Sequence, residues 1–167
     1  MTGLMRRSLA VLCALAIVMA LAGCGSSDKK TSATGSTTAP PGSTSLPNAC
    51  PSDGCKIQIV SVKKAATGSE LVIAFDANYA PDVSRNHFHV YWDTFTAKQV
   101  SDDAEPRFHV TQGAWVPTGD NPFTTTDAVS TTKREQSTKV CVTAGDRNHN
   151  VIDPSLVECR DVRELVT

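Results

Sequence analysis

The sequence predicts an all-β domain, an antiparallel β-sandwich, and three observations lead there. From Asn48 onward, short runs of alternating apolar and polar residues recur; Gly, Pro, Asn and Asp cluster between them; and no stretch keeps a helical period over several turns. Chains with many short strands and polar turns bury their apolar faces best by packing sheet on sheet.

The first run, Lys56 to Val62, puts Ile57 and Ile59 on one face. After the turn residues Thr67, Gly68 and Ser69, Glu70 to Ala77 places Leu71, Ile73 and Phe75 together. His87 to Asp93 alternates most regularly, with Phe88, Val90 and Trp92 pointing one way and His87, His89, Tyr91 and Asp93 the other. Further strands are predicted at Arg107 to Thr111, Ala114 to Val116, Thr125 to Thr131, Ser137 to Thr143 and Leu156 to Leu165. About seven short strands at this spacing suggest an immunoglobulin-like arrangement. Trp92 on the third strand fits that arrangement, and Cys141 falls on the penultimate one. The chain departs from the antibody pattern in having no Cys on its second strand and Lys139, not Tyr, two residues before Cys141.

Of the six cysteines, Cys50, Cys55, Cys141 and Cys159 fall in the folded region. Pro51-Ser52-Asp53-Gly54 is a strong turn sequence, so Cys50 is expected to pair with Cys55, leaving Cys141 for Cys159. A four-Cys zinc site is disfavoured because the close pairs it prefers are missing.

The start of the chain reads as an export signal: Arg6 and Arg7, an apolar stretch from Leu9 to Leu21, and small residues before Cys24. The apolar stretch is shorter than the roughly 20 residues of a membrane-spanning helix. Leu21-Ala22-Gly23-Cys24 resembles the lipobox of bacterial lipoproteins. The resemblance implies that residues 1–23 are a cleaved signal peptide and that Cys24 becomes a lipidated N-terminus on the extracytoplasmic face of a bacterial cell membrane, exported by the general or the twin-arginine route. Two acyl chains would anchor the protein stably without a transmembrane helix.

Residues 24–47 are rich in Ser, Thr, Gly, Pro and Lys and hold Leu46 as their one large apolar residue, a composition too polar to fold. As a flexible tether they would span about 26 Å. Residues 48–167 form one predicted domain. It carries 12 basic and 16 acidic residues, which argues against a nucleic-acid partner.

Two clusters carry chemistry. His87 and His89 lie on one strand face and can share Zn(II) or Cu(II) if a third ligand arrives from elsewhere. His109, alternating with Phe108 and Val110, is the predicted third ligand, and His149 in a later loop is the alternative. All three Met residues, Met1, Met5 and Met19, are expected to leave with the signal and the cysteines to pair, which disfavours a blue-copper site. The second cluster, Asp146 to Asp153, resembles the start of a calcium loop, but Val151 and Val157 stand where an EF-hand needs Gly and Glu. A turn-rich connection between two strands accounts for the same residues.

No nucleophile elbow, phosphate loop or catalytic cysteine motif is present, so an extracellular hydrolase ranks last. The expected function is a non-enzymatic module, without a required cofactor, held to the membrane by its lipid and contacting an envelope protein or wall polymer. Tyr91, Asp93 and Trp115 are its candidate contact residues. A His-based Zn(II) or Cu(II) binding lipoprotein is the alternative.

Overall fold

A computed structural model describes residues 46–167, so the predicted signal peptide, Cys24 and nearly all of the predicted tether lie outside the described residues. Among the described residues, seven strands form two antiparallel sheets. They are β1 (Ile57–Lys64), β2 (Leu71–Ala77), β3 (His87–Trp92), β4 (Val116–Thr118), β5 (Phe123–Thr124), β6 (Lys139–Gly145) and β7 (Val157–Asp161). One sheet runs in the order β1-β2-β5 and the other β4-β3-β6-β7. Leu71, Ile73 and Phe75 from the first and Phe88, Val90, Trp92, Val140 and Val142 from the second belong to one buried cluster. Phe75 and Phe88, from different sheets, meet with ring centroids 4.8 Å apart.

The alternation read from sequence is realised in β2, where Leu71, Ile73 and Phe75 are buried. In β1 the register shifts between Ile59 and Ser61. This bulge leaves Val60 out of the pairing and 59% exposed while Ile59 stays in the core.

β3 is buried on both faces. Its Phe88, Val90 and Trp92 belong to the shared core, and His87, His89 and Tyr91 lie on the opposite side of the strand. On its neighbour β6 the partners of those three are Gly145, Thr143 and Cys141.

Arg107 to Thr111 is not a strand. The chain forms α1 (Ala104–Phe108) there, with Glu105 in its first turn, Arg107 in its last and His109 in the left-handed region as C-cap. Pro106 is tolerated because first-turn N–H groups have no intrahelical partner. Three alternating residues, Phe108 to Val110, were too few to distinguish a strand from one helical turn.

Thr125 to Thr131 also departs from the prediction, forming short 3-10 turns at Asp127–Val129 and Thr131–Lys133. The Glu70 carboxylate organises this segment by accepting the Thr125 and Ser130 hydroxyls and the Thr131 N–H. Burial raises the Glu70 carboxyl, but these hydrogen bonds outweigh it and hold the group below its ordinary value. β4 begins two residues later than the predicted Ala114 strand, and Pro117 sits in it because an edge strand needs no N–H at that position. The last predicted strand divides into β7 and a 3-10 turn at Arg163–Leu165.

Both predicted disulfides are present, Cys50–Cys55 and Cys141–Cys159. The first closes the turn in which Gly54 N–H donates to the Pro51 carbonyl. The second joins directly opposed residues of β6 and β7, with Cα atoms 4.1 Å apart. At the start of the domain, Asn48 and Asn86 exchange hydrogen bonds between side chains and backbone, fixing the chain beside the entry to β3.

Candidate metal centre

The outer face of β3 is covered by two connections. One is the long segment from β3 to β4, which contains α1, and the other is the link from β6 to β7. They are tied together: Asp102 N–H donates to the His149 carbonyl, Asp103 N–H to Asn150 Oδ1, Val151 N–H to Ser101 Oγ, and Arg107 to the Val151 carbonyl. Three histidines meet beneath this clamp.

His87 and His89 come from β3 and are fully buried. His149 comes from the β6–β7 link and is half-buried. Its position follows from a tight turn in which the Asp146 carboxylate accepts the Asn148 and Asn150 N–H groups and the Asp146 carbonyl accepts the His149 N–H. His149 takes φ 58° there, in the left-handed region that ordinary side chains adopt only when neighbours compel it. The turn returns the chain to the sheet at the Gly145–Val151 bridge.

One ligand nitrogen from each ring lies within 4.8 Å of the other two. His87 Nε2 is 3.1 Å from His89 Nε2 and 3.1 Å from His149 Nδ1. The remaining nitrogens of the two β3 histidines face backbone carbonyls, His87 Nδ1 at 3.2 Å from Arg85 and His89 Nδ1 at 2.6 Å from Val100. A carbonyl can only accept, so both Nδ1 atoms carry protons and both Nε2 atoms of the neutral rings present lone pairs. Backbone acceptors on the outer nitrogens are the usual support of metal-ligating histidines.

These contacts cannot all be met by neutral imidazoles. Four of them each need a proton, and three neutral rings bring three. The lone pairs of His87 and His89 are therefore left face to face unless a further cation lies among the rings. A fourth proton is disfavoured because burial penalises the charged form. It lowers His87 below its ordinary value and takes His89 down to about 3, although the Arg85 and Val100 carbonyls pull the other way.

Gly145 makes room for the arrangement, since a Cβ there would overlap the His89 ring. Trp115 stacks on that ring, with centroids 5.4 Å apart and planes 29° from parallel. Beside Trp115 and His149 an open cleft of about 410 Å³ is also bounded by Asp102, Gln112 and Pro117.

The structure gathers two of the three predicted ligands and replaces the third. His109 is exposed at the end of α1 and stands outside the cluster, whereas His149 joins it. The alternation that pointed to His109 is not realised, because that residue caps α1, and although both connections cover β3 only the β6–β7 link turns a histidine into the cluster. Asp146 and Asp153, the acidic ends of the calcium-like stretch, each accept hydrogen bonds within their own turns. The candidate contact residues are dispersed. Tyr91 is buried, Asp93 is exposed and accepts the Ser137 hydroxyl, and Trp115 packs on His89. Comparison of the chain with protein-family models, curated proteins and solved structures gives no match.

Proposed function

We propose that this protein is a lipid-anchored, extracytoplasmic metal-binding protein of a bacterial membrane that holds Zn(II) or Cu(II) on His87, His89 and His149. The observation that carries the reading is the convergence of three ring nitrogens whose hydrogen-bonding needs exceed the protons that neutral rings supply. A divalent ion meets that need, since it accepts all three lone pairs while both Nδ1–H groups keep their carbonyls. Donors about 2.0 to 2.1 Å from a tetrahedral ion lie roughly 3.3 Å from one another, close to the separations around His87.

The domain would be an immunoglobulin-like sandwich. Its first, second and fifth strands share one sheet, and its third strand lies between the fourth and sixth in the other, an order that supports this reading. Lipidation at Cys24 and the tether would hold the metal site outside the membrane. A surface contact module is the weaker reading, because burial of Tyr91 removes one of its three contact residues.

Calorimetry with Zn(II) and Cu(II) on the full-length chain tests the proposal. One ion per chain is expected, lost in His87→Ala and in His149→Ala and retained in His109→Ala. No stoichiometric binding, or loss in the His109 variant alone, overturns it.

A further inference from the structure

We infer that the bound ion keeps one coordination position for an exogenous small ligand, water or a monovalent anion, which reaches it through the cleft beside His149 and Trp115. The inference rests on the metal reading above. Three features of the molecule carry it further.

The first is the donor set. The cluster is three imidazoles with no carboxylate or thiolate among them. Structural zinc sites close their tetrahedron with four protein ligands, whereas sites with three leave the fourth position to water or substrate. Three neutral imidazoles also leave the full double charge on the ion, which favours an anion as the fourth donor.

The second is access. His149 belongs both to the cluster and to the wall of the cleft, whereas His87 and His89 are fully buried and do not line it, so a ligand would reach the ion past the His149 ring. Its volume, about 410 Å³, far exceeds the roughly 30 Å³ of a water molecule. The Asp102 carboxylate in the same wall is engaged by the Gln112 amide at 2.8 Å.

The third is Trp115. Its ring lies against His89 and lines the cleft, and its indole N–H is buried with no acceptor among the described residues. A buried donor without a partner is costly and uncommon. The Nε1 is closed to solvent, so a ligand on the metal gains this donor only once the indole edge turns toward it.

Cobalt substitution separates this inference from the reading beneath it. The full-length chain is titrated with Co(II) and its visible d–d bands are followed, and azide is then added to the loaded protein. Saturable change of the bands with azide is expected, with azide binding weakened about threefold to tenfold in Trp115→Phe, which keeps the stacked ring and removes the N–H. Stoichiometric Co(II) bands that azide leaves unchanged overturn the fourth-ligand inference and leave the metal site standing. Absence of Co(II) bands overturns both. Equal azide affinity in Trp115→Phe removes the indole from the ligand's environment and overturns its proposed role.

Discussion

The imidazole of His89 occupies the space that a side chain at residue 145 would need. Gly145 lies on β6, paired with His87 in the antiparallel register, and a Cβ built on it would overlap Nε2, Cδ2 and Cε1 of His89. The overlapped atoms belong to a fully buried ring held by the Val100 carbonyl on one edge and by Trp115 on its face. The ring therefore cannot yield without losing those contacts. A glycine in a central strand otherwise weakens it, and here the close approach of His89 accounts for its presence.

Gly145→Ala is accordingly expected to displace His89 Nε2 from the cluster. Overpacking of a buried site typically costs about 1 to 3 kcal/mol. Chemical denaturation should show a loss in that range, and calorimetry should show metal affinity falling at least tenfold. A variant with unchanged affinity would mean that His89 is not a ligand.

The metal-free protein should lose stability as pH falls. For His87 and His89 the folded state holds the proton less tightly than the unfolded chain, whose His value is 6.5. Between that value and about 3, where burial leaves His89, the unfolded state binds more protons, so unfolding becomes easier as pH decreases through the window. Thermal melts from pH 7 to pH 4 should show this decline, and His89→Gln should flatten it. An equal slope in the variant would place the loss on other groups, of which Glu70 and Asp82 titrate in the folded state below their ordinary carboxyl values.

The two disulfides should contribute unequally. Cys141–Cys159 closes a loop with sequence separation 18, worth about 3 kcal/mol in the chain-entropy model, and Cys50–Cys55 one with separation 5, worth about 2 kcal/mol. The larger loop also contains His149. Replacing Cys141 and Cys159 together by Ser should therefore lower both stability and metal affinity, whereas the equivalent Cys50 and Cys55 variant should lower stability alone. Metal titration of the two variants at a temperature where both remain folded checks the distinction.

Much of the fold was legible along the chain because its signals are local. Alternation in β2 and β3 has period two, the turn between Cys50 and Cys55 is written in four consecutive residues, and the remaining cysteines then had one partner each. The misread segments, Arg107 to Thr111 and Thr125 to Thr131, are those whose conformation is decided elsewhere. Glu70, immediately before β2 and far away in sequence, holds the second through its carboxylate. Hydrogen bonds to the β6–β7 link fix Asp103 and Arg107 around the first.

The sequence by itself determined an all-β domain, its disulfide pairs, and that His87 and His89 would share one side of a strand. Strand geometry alone puts residues two apart on the same face. Only the tertiary structure decided that this side is buried, that Gly145 and Trp115 both pack against the His89 ring, and that His149 rather than His109 completes the cluster. Those outcomes depend on where two long connections settle over β3. Their hydrogen bonds join residues about 50 positions apart, such as Ser101 and Val151, which no local pattern encodes.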